Sequence, residues 1–493
     1  MNKVNPSSAR KKRVNLWLAG LVVFTLCVFC FSAGALANRI IMEKSLDAIG
    51  GEISDDGEMQ KFQDIYETLA TKWYFSKDMQ DPKKELLEKA ITGMSTLEQD
   101  PHTNYFSLEE AEAFTQHLSG SNVGIGVSFY PNASGSMTVR SVFTNSAADK
   151  AGLLPGDVVL KVDDLVTADT SDEDLVAYIQ DHNEKAMNLQ VDRGGTILNM
   201  EVVPGSYNST VAMKENGSMG VVEVSVFGEN TGKDFSDALK RLKDDGINTL
   251  VLDLRDNSGG YLSAAMDMAA SLLGKDKVVF QEKTLDGNVT SYATDGSFAQ
   301  MDFDKIYVLQ NENSASASEV LIGALKDNLG DKVTTVGTTT YGKGTEQTSI
   351  PFTDGTSLKY TIAEWLTPDG ESVNGKGIDP DVKVDSTSVG SVRYTVMEED
   401  EVIEPDTVAP NARPVQIYLQ YLGYPADRED EYFSVTSSEA LKQFQLDHGL
   451  EATGSVDQKT FDELLSAVGL KLNETRDSED AWMQAVSQLM NQQ

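Results

Sequence analysis

Two apolar runs, Thr249–Leu254 and Lys305–Gln310, each break off in a turn of small polar residues, and each is followed by a helical pattern. The first ends at Asn257-Ser258-Gly259-Gly260 and gives way to Ala264–Leu273; the second runs into Asn313-Ser314-Ala315-Ser316-Ala317-Ser318-Glu319-Val320, with Val320–Leu325 opening the next helix. Runs this apolar suit strands buried on both faces. Upstream, Met219–Val226 reads as a strand and Asp234–Asp244 as a helix. Strands alternating with helices indicate an α/β domain, placed at residues 205–395.

The serine-rich turn is followed by Tyr341-Gly342-Lys343-Gly344 and Gln347, which supplies a serine and a lysine with no histidine nearby. A serine hydroxyl is a poor nucleophile until a base takes its proton, and a lysine can do so only if burial or a neighbouring positive charge holds its amine neutral. Its reference value of about 10.4 must fall a long way. Ser316-Ala317-Ser318-Glu319 also has the form of a helix capping box, so a purely structural turn is the competing reading. Ser318 is the alternative nucleophile. The four histidines, His102, His117, His182 and His448, are scattered, and His102 reads as structural. No His-x-x-x-His spacing exists, and the single Cys-x-x-Cys pair, Cys27 and Cys30, sits inside an uncharged apolar run with no further ligand near it, so neither a histidine triad nor a metal site is expected.

With 493 residues the chain has room for several cores. Trp17–Ala37 is an uncharged apolar run behind Arg10, Lys11, Lys12 and Arg13, long enough to span a bilayer and oriented by the basic cluster in residues 1–16. It predicts a single-pass membrane anchor with everything after it outside the cytoplasm; Ala35-Leu36-Ala37 keeps a cleaved signal peptide open. Both cysteines, Cys27 and Cys30, fall inside that run, so the exported part has no disulfide and no thiol nucleophile. A formal net charge of −36 makes nucleic acid an unsuitable partner, because such a surface repels phosphates.

Residues 46–118 carry apolar side chains at three- and four-residue spacing, as in Phe62, Tyr66 and Leu69, and predict a helical arm interrupted by the turn Asp100-Pro101-His102-Thr103-Asn104-Tyr105-Phe106. Short strand patterns follow at Met137–Val142, Val158–Val162 and Met187–Val191. Residues 396–414 hold six acidic residues and three prolines, a composition read as a linker too charged to pack. The last segment, 415–470, reads as a small helical module.

Three resemblances organise these parts. Gly124-Ile125-Gly126-Val127 together with Ala147-Ala148-Asp149-Lys150-Ala151-Gly152-Leu153-Leu154-Pro155-Gly156-Asp157 makes residues 122–204 resemble a PDZ domain, with Gly124, Ile125, Gly126 and Val127 in the place of the loop that binds a peptide carboxylate. A small β domain that binds nothing is the plainer alternative. Residues 415–470, through Leu422-Gly423-Tyr424, Phe444-Gln445 and Gly454-Ser455-Val456-Asp457, resemble a three-helix peptidoglycan-binding domain.

The order Asp100-Pro101-His102, the PDZ-like stretch, the two turns, Thr367-Pro368-Asp369-Gly370 and Gly375-Lys376-Gly377-Ile378-Asp379-Pro380-Asp381 resembles the C-terminal processing peptidases, tail-specific serine proteases with a Ser/Lys active site. The resemblance implies a crotonase-like core, Ser316 as nucleophile, Lys343 as general base and Gln347 as the residue orienting it. It also implies an oxyanion hole from the Gly259 or Gly260 N–H with that of Ala317, and no cofactor. Ser258 and Thr338 depart from the family's usual proline and glutamate. The expected protein is an envelope-facing serine endopeptidase, single-pass in the cell membrane, acting on unfolded or tailed proteins and holding peptidoglycan, with a homo-oligomer compatible with the sequence. The alternative is a non-catalytic wall-bound PDZ scaffold.

Overall fold

The computed structural model describes residues 57–132, 135–384, 389, 392–395, 397 and 401–492, with residues 473 and 476–479 described by backbone only. The chain divides into two units, Met1–Met94 and Ser95–Gln493. In the first, helices Glu58–Lys72 and Pro82–Ser95 flank a short 3-10 turn, Tyr74–Asp78. Tyr66 donates to the Lys83 carbonyl at 3.1 Å, and Lys83 pairs with Glu67 at 3.3 Å. The remaining helix of the expected arm, Leu108–Ser119, lies in the second unit behind a capping box formed by Ser107 and Glu110.

The core of the second unit is a six-stranded sheet in the spatial order Val211–Asn216, Met219–Val224, Thr249–Asp253, Lys305–Gln310, Val333–Gly337, Val382–Lys383. Its first pair is antiparallel and the other four are parallel. Successive side chains on a strand point to opposite faces. Val222, Leu250, Leu252, Ile306 and Val308 therefore meet helices Thr231–Asp244, Leu262–Leu273 and Ala317–Leu329 in one core, while Val221, Val251, Tyr307, Leu309 and Val336 face the other way. That second face is covered by the C-terminal helix Ala481–Met490 through Trp482, Met483 and Val486. Burial on both faces explains why these strands read as continuous apolar runs instead of alternating ones.

A second, antiparallel sheet combines Asn104–Phe106, Thr345–Pro351, Ser357–Leu366, Val278–Thr284 and Val289–Ala293. The PDZ-like stretch is a sheet of Val127–Pro131, Met137–Val142, Val158–Val162, Leu165–Val166, Met187–Arg193 and Thr196–Val202 around its own core of Met137, Val139, Leu189 and Val191. Its helices are Ala147–Ala151 and Asp172–Asp181.

Helices Ala412–Leu422, Val435–Asp447 and Gln458–Glu479 form the terminal module. The reading of 396–414 as an unpacked linker needs correction. Thr407–Val408 pairs with Tyr432–Phe433, Ile403 and Val456 exchange backbone hydrogen bonds, and Met397 and Ile403 are buried in the module's core. Average composition hid the two apolar residues that decide the matter, because Glu404 and Asp406 remain in solvent while Met397 and Ile403 turn inward. Among the described residues no helix is long and apolar enough to cross a membrane. The Trp17–Ala37 anchor lies outside the described residues.

Candidate active site

Two turns meet where parallel strands end. The turn after Lys305–Gln310 is built by side chains that hold backbone. Ser314 Oγ donates to the Leu254 carbonyl at 2.8 Å, and the Asn311 carboxamide oxygen accepts the Asp256 N–H at 2.9 Å. Asn311 and Asn313 donate to the Asp256 carboxylate at 2.9 and 2.8 Å. Ser318 Oγ donates to the Asn257 carbonyl at 2.8 Å and is fully buried. Two of the three serines are thereby committed to joining the turns, and only Ser316 of the three lines the adjoining cavity.

Ser316 sits at φ 57° and ψ −115°, a conformation that an L-residue adopts at a cost of roughly 1–3 kcal/mol. The strain lets the chain turn from strand to helix with its side chain directed outward, immediately before helix Ala317–Leu329. Its N–H donates to Glu319 Oε2 at 2.8 Å.

Glu319 has no solvent exposure and does far more than cap this helix. Its carboxylate also accepts Thr340 Oγ1 at 2.6 Å, the Gly342 N–H at 2.7 Å and the Lys343 N–H at 2.9 Å. One buried carboxylate therefore fastens the serine turn to the lysine turn. Gly342, at φ 88°, lies against the Gly377 and Lys376 amides, where a Cβ would come within 2.9 Å of both. Close approach, together with positive φ, is what demands glycine there.

Lys343, Gln347, Ser316, Gly259 and Gly260 line one open cavity of about 1560 Å³, together with His102 and Lys359. Burial, followed by the nearby positive charge of Lys359, lowers the Lys343 amine to about 8, against the opposing pull of Glu319 and Asp100. The Trp365 indole N–H donates to the Lys343 carbonyl at 2.9 Å and pins the loop. Gln347 Nε2 donates to Thr345 Oγ1 at 2.9 Å and to Thr361 Oγ1 at 3.2 Å, which leaves its carbonyl oxygen as the end able to receive an amine proton. Thr361 in turn donates to Asp100 Oδ1 at 3.1 Å. The Asp100-Pro101-His102-Thr103 turn, read from sequence as a break in the arm, thus lies beside the cavity, and His102 contributes to its wall.

Of the three N–H groups nominated for an oxyanion, that of Gly259 is spent on Asn257 Oδ1 at 2.9 Å and has to be set aside. The side chain of Asn257 closes the turn on itself, which the sequence does not reveal. The Gly260 and Ala317 N–H groups have no acceptor among the described residues. Gly259 matters sterically: at φ 105°, a Cβ on it would stand 2.9 Å from Ser316 Cβ and 3.0 Å from Ala317 N.

Behind the turns, Arg255 donates to both carboxylate oxygens of Asp253 at 2.9 and 2.6 Å, meets Asp480 at 2.9 Å and lies over the Trp482 ring at 4.8 Å. Trp482 Nε1 donates to the Gln310 carbonyl at 3.3 Å. Sequence reading assigned nothing to this helix; the apolar spacing of Trp482, Met483 and Val486 was the available signal.

A second cavity, of about 240 Å³, runs between Val127–Pro131 and helix Asp172–Asp181 and is lined by Gly124, Ile125, Gly126, Val127, Phe129, Leu175, Ile179 and Tyr207. Val127–Pro131 is an edge strand, and the Ile125 and Gly126 carbonyls are taken by the Ala148 and Phe143 N–H groups. An extended peptide can add to such an edge while the glycine loop presents N–H groups.

The sequence matches the model of peptidase family S41 over residues 218–384, a PDZ domain over 138–193 and a peptidoglycan-binding domain over 409–464. It is 31% identical over 481 residues to the "Probable CtpA-like serine protease" of Staphylococcus haemolyticus, covering 96% of this chain and 93% of that one. It is 33% identical over 417 residues to the protein of the same name from Staphylococcus aureus strain COL, covering 84% and 82%. Among solved structures, the photosystem II D1 C-terminal processing protease aligns over 66% of this chain and 92% of its own, with 24% identity and a TM-score of 0.38, too distant to add to the sequence relationship. With a strand-to-helix serine turn, a half-buried lysine and a groove beside an edge strand in place, and relatives matching along nearly its whole length, the chain belongs to the C-terminal processing peptidases of family S41, and it carries a PDZ domain and a peptidoglycan-binding domain.

Proposed function

We propose that the protein is an envelope-facing endopeptidase in which Ser316 and Lys343 form a Ser/Lys dyad. The observation that carries the reading is their sharing of one cavity, with the lysine amine lowered to about 8 by burial. Neutral Lys343 takes the Ser316 proton as Oγ attacks the substrate carbonyl, and the Gly260 and Ala317 N–H groups face the developing oxyanion. The lysine then gives that proton to the departing amine, leaving an acyl-enzyme on Ser316. Water, deprotonated by Lys343, attacks the ester, and the proton returns to Ser316 as the acid product leaves. Gln347 orients the lysine through its carbonyl oxygen. The PDZ groove takes the substrate's C-terminal tail, the last module holds peptidoglycan, and Trp17–Ala37 anchors the chain with its catalytic part outside the cytoplasm.

Because the base works only when uncharged, kcat/KM for an unfolded, tailed protein should rise with pH through a midpoint near 8 and level off above it, with about a tenfold deficit at pH 7. A flat profile between pH 6 and 9 contradicts a lysine base. Gly126→Val tests the groove: at φ 84°, a Cβ there would meet Ser146 Cβ at 2.2 Å. It should raise KM for tailed substrates about tenfold while a short tail-less peptide is cut at the unchanged rate.

A further inference from the structure

The cavity holds a second lysine, Lys359, and the strand that carries it fixes where its charge sits. Strand Ser357–Leu366 pairs with Thr345–Pro351 so that Thr361 lies opposite Gln347 and Lys359 opposite Ser349. Lys359 and Thr361, two residues apart, share a face of the strand. That face is the one on which Thr361 receives the Gln347 amide, and Lys359 lines the same cavity as Lys343. Across the sheet, Asn104 is the partner of Lys359, which brings Phe106 and then Phe114 beside it. These two rings stack at 5.3 Å, and Lys359 Nζ lies 5.1 Å from the first and 5.2 Å from the second. An aromatic face attracts a cation, and the effect strengthens as water is excluded.

We propose that Lys359 is a positioning residue whose ammonium, seated on Phe106 and Phe114, repels a second positive charge and so keeps Lys343 in its neutral, proton-accepting form. The inference rests on the assignment of Lys343 as the base. The charges around Lys343 come from three packed elements: Glu319 on the helix after Ser316, Asp100 and His102 on the turn before Asn104–Phe106, and Lys359. Glu319 and Asp100 favour a charged Lys343, but both carboxylates are occupied by other donors, Glu319 by four groups and Asp100 by Thr103, Thr361 and the His102 N–H. Glu346, three residues after Lys343 in the cavity wall, is raised by burial and by the nearby charge of Glu282. Burial pushes the Lys359 amine down as well, against the pull of Asp100, but of the two amines it is the one with ring faces to support its charge. Its field adds to burial in lowering Lys343.

The test is the pH dependence of kcat and kcat/KM for the full chain, with Lys359→Met, Lys359→Arg and Phe114→Ala compared with the unmodified protein and with Ser316→Ala. Lys359→Met should move the acid limb up by about one pH unit, giving about a tenfold loss at pH 7 that is mostly recovered by pH 9.5. Lys359→Arg, which keeps the charge, should retain the original profile. Phe114→Ala leaves the amine but removes one ring, so it should shift the limb in the same direction by less, and it serves where Lys359→Met does not fold. A Lys359→Met profile that superimposes on the original, or falls equally at every pH, overturns the proposal. Turnover surviving in Ser316→Ala would instead overturn the dyad itself, whatever Lys359 does.

Discussion

Ser316→Ala should cut proteolysis of an unfolded, tailed substrate by about 10⁴-fold or more while leaving the unfolding midpoint within a degree or two of its original value. The hydroxyl faces the cavity, and the bond that fastens this turn comes from the backbone N–H to Glu319, which alanine retains. The strained φ belongs to the backbone and is also retained. Ser318→Ala is the control with the opposite signature. Its hydroxyl is buried and donates to the Asn257 carbonyl, so its loss should cost about 1–2 kcal/mol of stability and leave cleavage largely intact. Measuring turnover and denaturant unfolding for both variants decides which serine reacts. Full activity in Ser316→Ala with loss in a folded Ser318→Ala would transfer the nucleophile two residues along.

Glu319→Ala should be the most damaging change away from the reacting groups. Four donors, the Ser316, Gly342 and Lys343 N–H groups and the Thr340 hydroxyl, would lose their acceptor in a site closed to water. Stranding donors of this kind costs about 3–5 kcal/mol, and releasing the two turns from each other should lower kcat by about 10²-fold or more. Glu319→Gln keeps the shape but turns an NH2 toward donors, so it should fall between alanine and the original in both measurements. The charge supplies a further check. Glu319 favours protonated Lys343, so removing it should move the acid limb of the pH profile downward even as the maximum falls. A Glu319→Gln protein with unchanged stability, rate and profile would show that this carboxylate does not hold the two turns.

Much of the site was legible because its signals are local. Small residues at two strand ends, a lysine between glycines and a glycine loop before a strand are each read within ten residues. What escaped is carried by side chains reaching across the chain. Glu319 was visible only as a helix cap, since three of its four donors lie beyond residue 339. The Asp100 turn lies beside the cavity through Thr361, 261 positions away. Gly259 looked like an oxyanion donor until the Asn257 side chain was seen to occupy it. The acidic stretch before the last module reads as a linker only when charge is averaged over it, since Met397 and Ile403 within it pack into the module's core.

Periodicity and turn chemistry depend on neighbours two to four positions apart, so the sequence by itself determined the core strands that begin at Met219, Thr249 and Lys305 with the helices that follow them, that the peptidase core is α/β, and that a serine-rich turn and a lysine between glycines are present in it. Only the tertiary structure decided which of three serines is left facing a cavity, which N–H groups stay unpaired, and that a helix ending at Met490 closes the back of the central sheet through a Trp482–Gln310 bond spanning 172 residues. These outcomes, and the lowering of one amine to about 8, depend on burial and on charges brought together from distant parts of the chain.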